Sequence, residues 1–341
     1  MQRITIKQAE KLWQEENLFN LGRLAHEVRL DMHPEKMVTY IVDRNINYTN
    51  ICVSACKFCA FFRPPGHSSG YVLSFSELGR KIAQTLEMGG TQILLQGGMN
   101  PDLDLKFFES MLEDIKSRFP QVAVHGFSPP EICYLASDSG LSIREVISRL
   151  KASGLDSIPG GGAEILSDSV RQELSPRKCM SGQWLEVMEE AHEQGLKTTA
   201  TMMFGHVETF SERITHLSSI RSLQDRTKGF TAFIPWTFQP GNTQISISEA
   251  SSSEYLKFLA LSRLFLDNIP NIQASWVTQG SKVGQMALFW GANDFGSTMI
   301  EENVVAAAGV SFKMPEQEMR ALIESAGFTP RKRRMDYTLV D

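Results

Sequence analysis

Along residues 38–310, short apolar segments alternate with longer stretches in which apolar positions recur every three to four residues. The segments Asn45–Ile51, Thr91–Gln96, Val122–Phe127, Leu155–Pro159, Thr198–Phe204, Thr231–Phe238 and Ile272–Val277 read as strands. Phe75–Met88, Leu105–Phe119, Ile143–Ala152, Gln183–Gln194 and Phe210–Leu223 read as helices between them. A strand followed by a helix, repeated at about 30 to 45 residues, argues a parallel sheet with its helices outside. Seven such strands, and a short eighth near Gly291–Phe295, argue a closed (βα)8 barrel of the TIM type. An open doubly wound sheet is the alternative. Residues 5–34 read as two short helices, with apolar positions at Leu12, Leu18, Leu21, Leu24 and Val28. The expected organisation is an N-terminal helical extension (1–37), one α/β barrel (38–310) and a C-terminal extension packed on it (311–341).

Composition narrows the class. The 341 residues are 42% hydrophobic, enough for a large core, and the formal net charge is −5. That charge gives no case for nucleic acid, and the run Arg331–Arg334 reads as a solvated tail or a segment docked on the body. No apolar stretch approaches the roughly 20 residues that span a membrane. The first residues are charged and amphipathic, unlike a signal peptide. Reduced thiols then point to a cytoplasmic protein.

Chemistry concentrates in Cys52, Cys56 and Cys59, three of five cysteines, spaced C-x3-C-x2-C with Phe58 before the last. Three thiols this close point at one soft metal centre. A tetrahedral zinc site or a fully ligated cluster wants a fourth ligand, and no fourth cysteine lies nearby. A [4Fe-4S] cluster on three thiolates leaves one iron open for chemistry. A zinc site completed by a distant His is the alternative, and a disulfide framework fits poorly with few, odd-numbered cysteines. Cys133 and Cys179 read as small core residues.

The cysteine spacing resembles the radical S-adenosylmethionine (SAM) superfamily. Its surround, Asn45–Asn50 leading in and Ala60–Arg63 leading out, is similar to the branch that makes menaquinone precursors and the deazaflavin chromophore. Gln96–Pro101, His125–Glu131, Asp156–Leu166, Thr198–Thr209, Phe233–Thr243 and Gly291–Val305 resemble the cyclic dehypoxanthinyl futalosine synthase family. The resemblance implies a [4Fe-4S] cluster, SAM, and an external one-electron donor such as flavodoxin or ferredoxin. It implies a radical that takes hydrogen from C4′ of dehypoxanthine futalosine, after which the sugar attacks the benzoate ring and closes a spiro bicycle in menaquinone biosynthesis. The sister aminofutalosine synthase tends to carry Leu at Trp236 and His at Gln239. A non-catalytic Fe–S electron-transfer or sensor protein is the reading from another class.

Function in a TIM-type barrel sits at the carboxyl ends of its strands, and polar and glycine-rich turns gather there. By the resemblance, Cys52, Cys56 and Cys59 ligate the cluster and Phe58 borders the adenine. Gln96, Gly97 and Gly98 lie along the methionine part of SAM, although Met99 stands where many relatives carry Glu. Glu164 and Arg171 are candidates for the ribose or carboxylate of SAM, with a purely structural pair as the alternative. His125, His206, Glu208 and Asp294 are candidates for holding the substrate, and His206 or a carboxylate for taking the final proton. Trp236 and Gln239 are candidates for shaping its pocket.

Overall fold

A computed structural model describes residues 3–310 and 312–340; residues 1, 2, 311 and 341, which end the two expected extensions, lie outside the described residues. The strands are β1 (Met37–Ile41), β2 (Asp43–Asn47), β3 (Gln92–Gln96), β4 (Ala123–Gly126), β5 (Ser157–Ile158), β6 (Lys197–Phe204), β7 (Phe230–Thr237), β8 (Asn271–Ile272), β9 (Asp294–Ser297) and β10 (Thr329–Lys332). β2 to β8 pair in order in one parallel sheet. β9 pairs in parallel with β1, which runs into β2 after one residue, and a bridge from Gln273 to Asp294 links it to the end of β8. The sheet therefore curls until its last strand meets its first, and the expected barrel forms. β10 adds a further parallel partner to β1.

Most expected elements stand within a residue or two of the sequence reading. The differences have local causes. The first strand was expected at Asn45–Ile51. It runs from Asp43 and stops at Asn47, because Tyr48 turns its hydroxyl to Glu131 (2.6 Å) and Thr49 donates to the Tyr71 carbonyl (2.6 Å), which bends residues 48–51 into the loop. The seventh strand stops at Ile272 instead of Val277. The Ser275 N–H donates to the Tyr255 hydroxyl (2.7 Å) rather than to a ladder, and the chain turns into a short helix, Trp276–Gln279. The eighth strand lies three residues later than expected, after Gly291 takes a left-handed turn (φ +102°) that L side chains rarely adopt.

The helix Ser252–Phe265 was not anticipated. Tyr255, Leu256, Phe258, Leu259, Ala260, Leu261, Leu264 and Phe265 are all buried, so it has no polar face to give a period. The reason is outside it: the N-terminal helix Leu18–Met32 packs on the side that would otherwise meet water. Pro129–Ser139 was also missed. It opens on two prolines after Ser128, whose backbone N–H and hydroxyl donate to Glu131 (2.7 and 2.5 Å).

The C-terminal extension does more than pack on the barrel. β10 delivers Arg333 to the interior, where only 5% of it remains exposed. Its Nε and Nη2 donate to the two Asp294 carboxylate oxygens at 2.5 and 3.0 Å. Thr39 of β1 donates to the same carboxylate (2.6 Å), and the guanidinium lies 4.0 Å from the Tyr337 ring centre. Arg333 was read as part of a solvated or docked run; it is the docking residue, while Arg331 and Arg334 remain exposed. Asp294 is fully buried, so removing either partner leaves an uncompensated charge in the interior. Asp294→Asn and Arg333→Met are each expected to destabilise the protein by about 3–5 kcal/mol, and the double variant by less than the sum. Denaturant unfolding of the cluster-free protein measures this, and additive losses would show that the two residues do not act as a pair.

Candidate active site: a cysteine loop over a polar chamber

The cysteine loop leaves β2 and is shaped by hydrogen bonds of the chain to itself. The Cys52 N–H donates to the Arg63 carbonyl (2.9 Å), Val53 to Met99 (2.9 Å) and Lys57 to Leu174 (2.9 Å). Ala55 sits at φ +49°. Arg63 turns its Nη1 to the carbonyls of Ala60, Phe61 and Phe62 (3.2, 3.3 and 2.8 Å), which folds the end of the loop around one guanidinium. The three thiols then line the mouth of one cavity of about 430 Å³ that descends into the barrel.

Glycines set the approach of the neighbouring turns. A Cβ on Gly98 would lie 2.1 Å from the Ile51 carbonyl oxygen and 2.8 Å from Cys52 Cβ, so only glycine lets β3 end against the cysteine loop. A Cβ on Gly97 would enter the Tyr48 ring. The Gly97 N–H donates to Glu131 (3.0 Å), the same buried carboxylate that Tyr48 meets. Across the cavity, a Cβ on Gly161 would lie 2.5 Å from Gln96 Nε2. The Gly160 N–H donates to the Thr199 hydroxyl (3.0 Å), and Thr201 returns a bond to the Gly160 carbonyl (2.6 Å).

Lys178, which sequence reasoning missed, dominates the local electrostatics. Its ammonium is 2.6 Å from Glu164 and 5.0 Å from the Phe58 ring centre. Burial disfavours this ammonium, but the charges of Glu164 and Cys56 outweigh it and hold Lys178 protonated, above its usual range. Burial pushes Glu164 up, yet Lys178 and Arg171 prevail and keep its carboxyl below the usual carboxylate range. Burial raises the Cys56 thiol, opposed by Lys178 and by the Ser54 hydroxyl 3.1 Å away. Cys59 is raised in the same way, opposed by the backbone at Phe62 and Phe61.

The expected site residues divide cleanly. Cys52, Cys56, Cys59, Phe58, Gln96, Gly97, Gly98, Glu164, His125, Trp236 and Gln239 line the cavity. His125 is neutral, lowered to about 3 by burial, and its Nδ1 meets the Ser157 hydroxyl at 2.7 Å. Gln239 donates to the Thr237 carbonyl and hydroxyl (3.2 and 3.1 Å). Four residues stand off the wall. Arg171 spends its guanidinium on the carbonyls of Gly162, Ala163 and Cys179 (3.1, 2.6 and 2.9 Å), so it braces the glycine turn from behind. His206 points its Nε2 at the Met203 carbonyl (3.1 Å) and its Nδ1 at Glu208 (2.9 Å). Glu208 in turn accepts from Arg213 (2.7 Å) and the Gly205 N–H (2.7 Å). Burial raises that carboxyl, but His206 and Arg213 bring it down to about 2. Asp294 is committed to Arg333. Apart from the Asp294–Arg333 pair, these contacts lie within nine residues along the chain, and they tie each turn to itself.

The donor set fits an iron–sulfur cluster better than one zinc ion. Among the described residues, no three His, Cys, Asp or Glu side chains are grouped as ligands of a single ion. Three thiolates on one zinc must each reach it at roughly 2.3 Å. A cluster takes one thiolate per iron, so the sulfurs stand apart. The peptide backbone of Gly97, Gly98 and Gly161 lines the cavity beside the Lys178–Glu164 pair, and peptide groups next to fixed charges suit a polar, charged ligand such as SAM.

Comparison with known proteins agrees with this geometry. The sequence model of the radical SAM superfamily matches residues 46–220, and that of the CofH/MqnC C-terminal region matches residues 227–341. The cyclic dehypoxanthine futalosine synthase of Halalkalibacterium halodurans is 46% identical over 99% of this chain and 92% of its own length. That of Streptomyces coelicolor is 44% identical over 98% of this chain and 85% of its own. The 5-amino-6-(D-ribitylamino)uracil–L-tyrosine 4-hydroxyphenyl transferase of Archaeoglobus fulgidus is 41% identical over 95% of both chains. In three dimensions, methylornithine synthase superposes with a TM-score of 0.75 at 17% identity, covering 96% of this chain and 94% of that one. On these matches the chain belongs to the radical SAM superfamily, in the family that holds the cyclic dehypoxanthine futalosine synthases.

Proposed function

We propose that the chain cyclises dehypoxanthine futalosine to cyclic dehypoxanthine futalosine, as the relatives above 43% identity are named for doing. The cavity carries the reading. Three thiols, a cation and glycine turns stand at its mouth, and a chamber of about 430 Å³, apolar on one side and polar on the other, lies directly beneath.

Cys52, Cys56 and Cys59 would hold the cluster, with SAM against Phe58, Gln96, Gly97, Gly98 and Glu164. When bound, that pair supplies a one-electron reductant and a carbon radical able to take a hydrogen atom. The chain's own residues position and shelter the substrate. Ile234, Trp236 and Phe238 give the chamber an apolar wall for the aryl group, and Gln239 fixes the turn below them. Enclosure keeps water from the reacting carbon. His206, Glu208 and Asp294, the candidates for the final proton, stand off the chamber, and His125 faces it instead. It is neutral there and can take the proton that the ring loses, while the one electron that must leave with it to restore aromaticity would pass to the external one-electron carrier. An external flavodoxin or ferredoxin would deliver the electron. Among the described residues no helix is long and apolar enough to cross a membrane; we place the reaction in the cytoplasm, where thiols stay reduced.

Each of Cys52→Ala, Cys56→Ala and Cys59→Ala is expected to lose most iron and sulfide after anaerobic reconstitution, and Cys133→Ala to keep them. Gly98→Ala should do the same damage as a ligand loss, because the added carbon displaces the cysteine loop rather than filling space. Iron and sulfide per folded chain read this out; a full complement in Cys56→Ala would remove the cluster assignment.

The reaction itself is tested with reduced, cluster-loaded protein, SAM and dehypoxanthine futalosine deuterated at C4′. The deuterium is expected in released 5′-deoxyadenosine, and the product should be two hydrogens lighter than the unlabelled substrate. Deuterium retained in a cyclised product would refute the mechanism. A product carrying covalent adenosine, formed from an enolpyruvyl ether instead, would make the chain an aminofutalosine synthase.

A further inference from the structure

The inside of a TIM-type barrel is ordinarily packed with branched apolar side chains. Here the inward positions on several strands are polar: Asp43, Asn45, Gln92, His125, Thr199 and Ser297 all line the cavity. Two of them carry buried acceptors with no partner. Asn45 and Gln92 are each 5% exposed, and neither Asn45 Oδ1 nor Gln92 Oε1 accepts a hydrogen bond. They are diagonal neighbours, since Asp43 stands opposite Gln92 and Asn45 opposite Leu94 on adjacent strands. The orientation of the Gln92 amide is fixed, because its Nε2 donates to Asp43 (2.6 Å), which leaves Oε1 as the free atom. A buried acceptor left unmatched is costly, so something that fills this floor must bring hydrogen-bond donors.

The charges nearby restrict what that donor can be. Arg333 lines the same floor and opposes a bound cation. Its own charge is committed to Asp294, so it offers no free site for a carboxylate, which two amide oxygens and Asp43 would also repel. A neutral hydroxyl meets both conditions.

We infer that Asn45 and Gln92 form a hydroxyl-binding subsite on the barrel floor, which takes the hydroxyl-bearing edge of the substrate sugar. This rests on the reading of the substrate as a ribose derivative. It orients the molecule: with the C2′ and C3′ hydroxyls held below, C4′ and the aryl chain face the cysteine loop and the Trp236 wall. Asn45 and Gln92 are specificity and positioning residues, and neither touches the atoms that react.

Equilibrium binding to the cluster- and SAM-loaded protein, without reductant, separates this from effects on turnover. The ligands are dehypoxanthine futalosine and its 2′-deoxy and 3′-deoxy analogues. Wild-type protein is expected to bind at least one deoxy analogue roughly tenfold to hundredfold more weakly than the parent. Asn45→Leu and Gln92→Leu should weaken the parent by a similar factor, and at least one should erase the preference for the hydroxyl. Wild-type affinity for the parent in both variants overturns the subsite, as does an unchanged hydroxyl preference in both. Should a variant fail to fold, the analogues decide alone: equal wild-type affinity for all three compounds overturns it. Wild-type protein that does not bind the parent at all overturns the functional reading, and the subsite with it, which is a different result from binding without hydroxyl preference.

Discussion

A buried ion pair at the last seam of the barrel, Arg333 against Asp294, is the contact on which the chamber depends. β9 is only four residues long, and β8 reaches it through a single bridge. So short a strand contributes few ladder bonds. The Asp294 carboxylate compensates by meeting Thr39 of β1, the Gly296 N–H (2.8 Å) and Arg333 after β10. One carboxylate thus joins the first, last and added strands, and the guanidinium it fixes becomes the chamber floor. Such pairs are weak evidence for net stability, because both charges lost their water. What this one does is choose a geometry: a barrel closed around a polar floor.

The upper rim obeys a different constraint. Cluster ligation needs thiolates, yet burial raises Cys56 and Cys59. Lys178 opposes that rise from a position secured by Glu164, and Arg171 holds the glycine turn that carries Glu164. The Glu–Arg relation noticed in the sequence is therefore real but indirect. Arg171 acts on the backbone around Glu164, and Lys178 supplies the charge at the cavity.

The cysteine loop and the glycine turns were legible because their chemistry is local: spacing, an adjacent aromatic, and strand ends named by period. The barrel was legible for the same reason, except where tertiary contacts replaced local preference. Ser252–Phe265 hid its period by being buried all round. Lys178 and Arg333 matter through partners well away along the chain, and nothing next to them in sequence marks them, whereas Glu131 also closes a local helix start with Ser128 three residues before it. His206 and Glu208 mislead in the opposite sense, since a His and a Glu after a strand look reactive and instead secure the turn with Arg213. One signal was present and unread. Asp43, Asn45 and Asn47 alternate with Arg44 and Ile46, a two-residue period with its polar face inward.

That inverted period bears on how the chain folds. The seam pairs Thr39 with Asp294, 255 positions apart, so its loop-closure cost is met late and the seam is slow to form. Until then the sheet from β2 to β8 is an open trough. Partly folded proteins aggregate when they show apolar surface to one another. The trough of this barrel sets the amides and carboxylate of Asp43, Asn45 and Gln92 beside the apolar wall of Ile234, Trp236 and Phe238, so the half-closed chain shows water a mixed face rather than a wholly apolar one.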